Sequence, residues 1–238
     1  MDSLKKFSLS QEIAIIVDQI KRGLAEIQLL KYTERYTDEN YFAIFQFLST
    51  GFERLLKYAI CYSYWQNEEQ FPNFKEQNLL HHDIIVLLKM FVENYFSTAN
   101  IPAKIADYKF LTKNNELKQM LSVLSNFGKN GRYDNFNIVD NHKCISNVFT
   151  TWNSLITHYI ESLPDLNNSN DEQYRNTEVA KHFVSLFERF TRAIFRQFAF
   201  GSKNPASRDD GYYNHFYMLN DDELGNTDYF KAVYCQCY

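Results

Sequence analysis

Arg175 and His182 stand seven residues apart in the stretch 169–200, SNDEQYRNTEVAKHFVSLFERFTRAIFRQFAF. A guanidinium holds anions through fixed N–H donors, and an imidazole moves protons near neutral pH. Asn176, beside Arg175, adds an amide that both donates and accepts. At ~100° per residue, two helical positions seven apart differ by only ~20° around the axis, so both side chains point the same way. They lie roughly 70–90° from the centre of an apolar stripe, on its shoulder. That stripe is Val179, Phe183, Leu186, Phe190, Ile194 and Phe198. A cation and an imidazole at the rim of a packed face can meet in a groove beside it. The plain alternative pairs Arg175 with Asp171 or Glu178, at i−4 and i+3, and makes His182 a boundary residue bonded to a neighbour.

The helix that carries them has a start signal. Ser169 is read as its cap, with Glu172 three residues on to reach back, a capping-box spacing. Asp171 and Glu172 put negative charge in the first turn, where the helix dipole favours it. Five further helices are expected upstream, over about 9–32, 39–64, 78–96, 114–127 and 140–163, each with an apolar stripe at helical spacing. Gly51 interrupts the second at a cost of about 1 kcal/mol relative to alanine, which points to a close helix crossing there. Pro102 is read as a break, and residues 128–131, Gly-Lys-Asn-Gly, as a C-cap and turn. Beyond Gly201 the periodicity dissolves into a segment rich in Tyr, Asp and Asn. The expected fold is therefore all-α, an antiparallel helical bundle with an N-terminal helix (1–37), a helical domain (38–200) and an irregular C-terminal tail (201–238).

Composition agrees. Seven glycines and four prolines in 238 residues favour long helices over a many-turned β protein. The formal charge of −4, with both signs mixed, rules out a broad basic footprint, so any RNA contact would be local. Cys61 and Cys144 stand alone in helical patterns, and the Cys235-x-Cys237 pair has no second cluster to complete a metal site. His81, His82 and Asp83 are read in the first turn of the third helix. Neighbours there point about 100° apart, so they do not converge on one ion. Glu53 and Lys57 are read as a solvated i,i+4 pair. No cofactor and no metal is expected. Lys5 and Lys6 precede an amphipathic rather than an apolar segment, and no run spans a bilayer, so the expected setting is cytoplasmic, without membrane contact.

Three fragments in order resemble bacterial HEPN-superfamily helical proteins: GFERLLK (51–57), HHD (81–83) and FGKNGRYDN (127–135). The resemblance covers about residues 38–200. It implies a metal-independent RNase of toxin–antitoxin or phage-defence type, with an antitoxin or other defence-system protein as partner. The superfamily's signature is Arg, a polar residue, then His after four to six positions, and Arg175, Asn176 and His182 match it. By this resemblance two copies pair so that both Arg–His sets face one cleft. Arg175 would hold the scissile phosphate, His182 would move a proton, and Asn176 would orient them. Lys129, Arg132 and Tyr133 are the accompanying candidates for RNA contact. Arg132 competes with Arg175 for the arginine's role, although His142 stands ten residues on, outside the signature. The other reading is a HEPN-like module without catalysis that binds a partner protein, a nucleotide or RNA.

Overall fold

The computed structural model describes residues 2–32, 38–75, 79–131, 148–199 and 210–234. Among them the chain is all-α, as expected, with ten α-helices and no strand. These are α1 (Asp2–Leu29), α2 (Asp38–Glu68), α3 (Ile84–Asn94), α4 (Pro102–Lys113), α5 (Asn115–Lys129) and α6 (Val148–Ser162). They are followed by α7 (Pro164–Asn167), α8 (Glu172–Ala199), α9 (Asp210–Tyr217) and α10 (Tyr229–Tyr234), and a 3-10 turn, Leu30–Tyr32, extends α1.

The long pair α1 and α2 is antiparallel, with residue 23 against 48, 20 against 51 and 12 against 54. Two glycines set this approach. A Cβ on Gly23 would lie 2.5 Å from Leu48 Cδ2, and one on Gly51 would lie 2.9 Å from Ile20 Cγ1. The crossing expected at Gly51 is therefore present, and Gly23 is its counterpart on the facing helix. The stripe of α8 closes against α2, with Phe52 touching Phe187 and Phe190 at ring-centroid distances of 5.3 and 4.9 Å. Trp152 brings α6 in, packing on Phe45 of α2 and Phe183 of α8. Ile16, Ile20, Phe45, Phe52, Trp152, Phe187 and Tyr229 are all fully buried in one apolar core.

Several local expectations are corrected. The third helix begins at Ile84 rather than near 78, because the Asp83 carboxylate accepts from the Ile85 and Val86 N–H groups and caps it. His81 and His82 therefore precede the helix. Pro102 begins a helix, α4, instead of breaking one, since proline fits the first helical position. That helix buries Lys104 and Asp107 beside Phe110 and Leu111, so its inward face carries a weak apolar signal. The cap of α8 is Asp171, which accepts from the Tyr174 N–H at 2.9 Å, while Ser169 Oγ accepts from the Asp171 N–H. The tail is not irregular throughout. Helices α9 and α10 lie in it, docked on α8 and α1, and the Gln28 side chain of α1 bonds the backbone of Thr227 and Tyr229. Neither helix is long enough to announce itself by period.

Candidate functional site

His182 points from the middle of α8 toward the first turn of α5 and the end of α6. Its Nε2 lies 2.7 Å from Glu116 Oε1, and its ring stacks on Tyr159 with centroids 3.8 Å apart and planes 14° from parallel. Phe183 closes the inner side of the imidazole. About a quarter of the His182 side chain, at 27 %, and a third of Glu116, at 34 %, stay exposed, so the pair has one edge open to water. Burial first, then the carboxylates of Glu178 and Glu116, push the Tyr159 hydroxyl up, so it remains a protonated donor at neutral pH.

Arg175 is half-buried, and among the described residues its side chain forms no ion pair. The expected pairs with Asp171 and Glu178 are absent there. Arg175 and His182 share one side of α8 but stand about 10 Å apart along its axis, too far for direct contact within one chain. Asn176 is turned inward at 5 % exposure, so it does not lie between them at the open edge.

From Glu116 and Tyr159 a shallow groove of about 160 Å³ continues between α5 and α6. Gln119, Ser122 and Asn126 form its polar wall and Val148, Thr151 and Leu155 face them. Gln119 lies one turn past Glu116, and Leu155 one turn before Tyr159, so groove and imidazole belong to one surface. Sequence reasoning passed over Glu116 and these amides. Their only signal is the 3-and-4 spacing of 119, 122 and 126 beside an apolar stripe.

Lys129 stands elsewhere. It does not line the groove, and it is thirteen residues along α5 from Glu116, about 20 Å from the imidazole's end. Its ammonium bonds Asp83 Oδ2 at 2.6 Å. Ser125 Oγ donates to Asp83 Oδ1 at 2.9 Å and accepts from the Ile84 N–H. Burial works against the Asp83 charge, but the bonds from Lys129, Ser125 and the Val86 N–H outweigh it and hold the carboxyl low. Beside it, Glu53 Oε1 takes both Lys57 Nζ at 2.8 Å and His82 Nδ1 at 2.9 Å. The Glu53–Lys57 pair is present but not solvated, since Glu53 is only 9 % exposed. His81 is next to it, its imidazole held low by burial and then by Lys57, with Nε2 buried and without a partner among the described residues. Residues of all three fragments, 51–57, 81–83 and 127–135, thus converge on one junction of α2, α3 and α5. Arg132 and Tyr133 lie outside the described residues, as do His142, Cys144, Cys235 and Cys237.

Among the described residues no cluster of three His, Cys, Asp or Glu is placed to hold a metal ion, and no helix is long and apolar enough to cross a membrane. Burial pushes the Cys61 thiol up to about 12, so it is a neutral wall and not a nucleophile. Comparison with protein-family models, with curated proteins and with solved structures finds no match for this chain.

Proposed function

We propose that this chain is a metal-independent endoribonuclease of HEPN type, acting as a cytoplasmic homodimer beside an antitoxin or other defence-system protein. The observation that carries the reading is the arrangement at α8. An imidazole is oriented by a carboxylate and an aromatic face, open on one edge, and on the same side of the helix stands a guanidinium that forms no ion pair among the described residues. In this reading Glu116 accepts from Nε2–H and fixes the tautomer, which leaves Nδ1 of His182 as the base. The 2′-hydroxyl gives its proton to that nitrogen and its oxygen attacks the adjacent phosphorus. The P–O5′ bond breaks, a protonated imidazole returns the proton to the leaving oxygen, and a 2′,3′-cyclic phosphate remains. Arg175 neutralises charge on the phosphoryl oxygens. The 10 Å gap within one chain is why the proposal pairs Arg175 of one copy with His182 of the other.

The test is cleavage of total RNA by the purified protein in EDTA. Wild type is expected to cut, and His182→Ala and Arg175→Ala to lose about 100-fold or more of the rate. Retained cleavage in both variants would place the chemistry away from α8. A second reading is supported by the same histidine. Its Nε2 is already bonded and one face already stacked, the usual state of a structural imidazole. In that reading the chain is a HEPN-like module that binds RNA, a nucleotide or a protein without cutting. RNA retardation in a gel without cleavage by wild type would select it.

A further inference from the structure

A cleft of about 550 Å³ opens between the start of α1, the middle of α2 and residues 71–74, with Tyr58 and Cys61 of the core forming part of its wall. Two helix faces build it. Lys5, Leu9 and Glu12 recur at one-turn spacing on α1, with Leu4 beside Lys5, and Arg54, Tyr58 and Cys61 do so on α2, with Lys57 beside Tyr58. Phe71, Pro72 and Phe74 form the third wall. Leu4 is 69 % exposed and Phe74 43 %, so the mouth presents apolar surface to water. The volume falls in the range of small-molecule sites, which are mostly apolar with a few placed polar groups.

Two ion pairs stand toward one end of the cleft, and Lys5, seven residues before Glu12 on α1, stands about 10 Å along the helix from them. Glu12 holds the Arg54 guanidinium through Nε and Nη2, at 2.6 and 2.8 Å, which fixes its plane. Nη1 has no partner among the described residues. Lys57, three residues on, gives one of its three protons to Glu53. Lys5 stands at the entrance, its ammonium 5.7 Å from the Phe71 ring centre. Lys5, Arg54 and Lys57 against Glu12 and Glu53 leave a surplus of one positive charge. That balance matches a monoanion, while a dianion would meet the two carboxylates.

We propose that this cleft binds a small amphiphile of fatty-acid type, its apolar chain lying between α1, α2 and residues 71–74 and its carboxylate on Arg54 and Lys57. Cys61 lines the chain's path. The site is independent of the His182 groove.

Calorimetric titration of the full chain with dodecanoate, kept below its micelle threshold, tests this. One molecule should bind per chain, and dodecyltrimethylammonium at least tenfold more weakly. The double variant Glu12→Gln/Arg54→Gln should lose tenfold or more in dodecanoate affinity. Ser8→Trp, an exposed α1 position that lines the cleft, should abolish binding while the helical circular dichroism is kept. Equal affinity for the cationic amphiphile, no binding of dodecanoate, or unchanged binding in Ser8→Trp would each overturn the proposal. Capture by anionic vesicles without uptake of monomeric dodecanoate would also overturn it, in favour of a membrane surface.

Discussion

His215 of α9 sits 3.2 Å from the Tyr229 hydroxyl, and burial, then the charge of Lys21, holds its imidazole down to about 4 from the ordinary 6.5. The folded chain therefore binds fewer protons than the unfolded chain between those values, and His215 costs stability as pH falls through that window. Glu188 acts with the opposite sign. Burial raises its carboxyl despite the bonds from Tyr229 and Gly225, so its protonation on acidification favours the folded state. Comparing wild type with His215→Gln isolates the histidine. The melting temperature of wild type should drop further between pH 7 and 4.5 than that of the variant, and parallel drops would remove His215 from the account. His182 shows what is legible at this scale. Its place on the shoulder of α8 follows from spacing alone, but its partner Glu116 is 66 residues away and only folding brings them together.

At the scale of elements, the α1–α2 crossing depends on two missing side chains. Gly23→Val puts methyl groups where Leu48 already lies at 2.5 Å. Overpacking of this kind costs about 1–3 kcal/mol, which should appear as a lower urea midpoint with helical content retained. The start of α3 allows a graded test. Asp83→Ala removes both the cap and the bond to Lys129 and should cost about 1–2 kcal/mol. Asp83→Asn keeps a capping oxygen and should cost less in thermal unfolding, and equal losses would show that the ion pair alone carries the effect. Helix α4 explains why one element escaped the sequence reading. Its buried face includes Lys104 and Asp107, and Asp107 is held by Arg196 of α8 rather than by apolar packing. A period search weighs hydrophobicity and does not register a buried ion pair.

For the molecule as a whole, the C-terminal helices complete the bonding of α8. Arg192, 2 % exposed, donates to the Leu219 carbonyl and to Asp221, and Glu188, fully buried, accepts from the Tyr229 hydroxyl and the Gly225 N–H. Deleting residues 202–238 strands both charges. A buried group left without its hydrogen bond costs about 1–3 kcal/mol, more when it is charged, against a total stability of about 5–15 kcal/mol. The shortened chain should unfold at much lower urea and be cut by protease within α8. Tyr229→Phe, which removes one hydroxyl, should cost about 1–3 kcal/mol by the same measure. An unchanged midpoint in the shortened chain would show that α9 and α10 are dispensable.

Helical period, scarce glycine and proline, and the stripes of α1, α2, α5, α6 and α8 were enough to establish an all-α bundle and most of its long helices. Those signals are local, because each residue's burial repeats with the turn of its own helix. The site was only half legible for the same reason. Residue type and spacing singled out Arg175 and His182. Tertiary structure decided that Asn176 faces inward, that Lys129 belongs with Asp83, and that Glu116 and Tyr159 hold the imidazole. It also joined residues of three separate fragments at one junction and opened a cleft between α1 and α2. Contacts between residues far apart in the chain arise from packing and charge complementarity across helices, and no single stretch of sequence contains them.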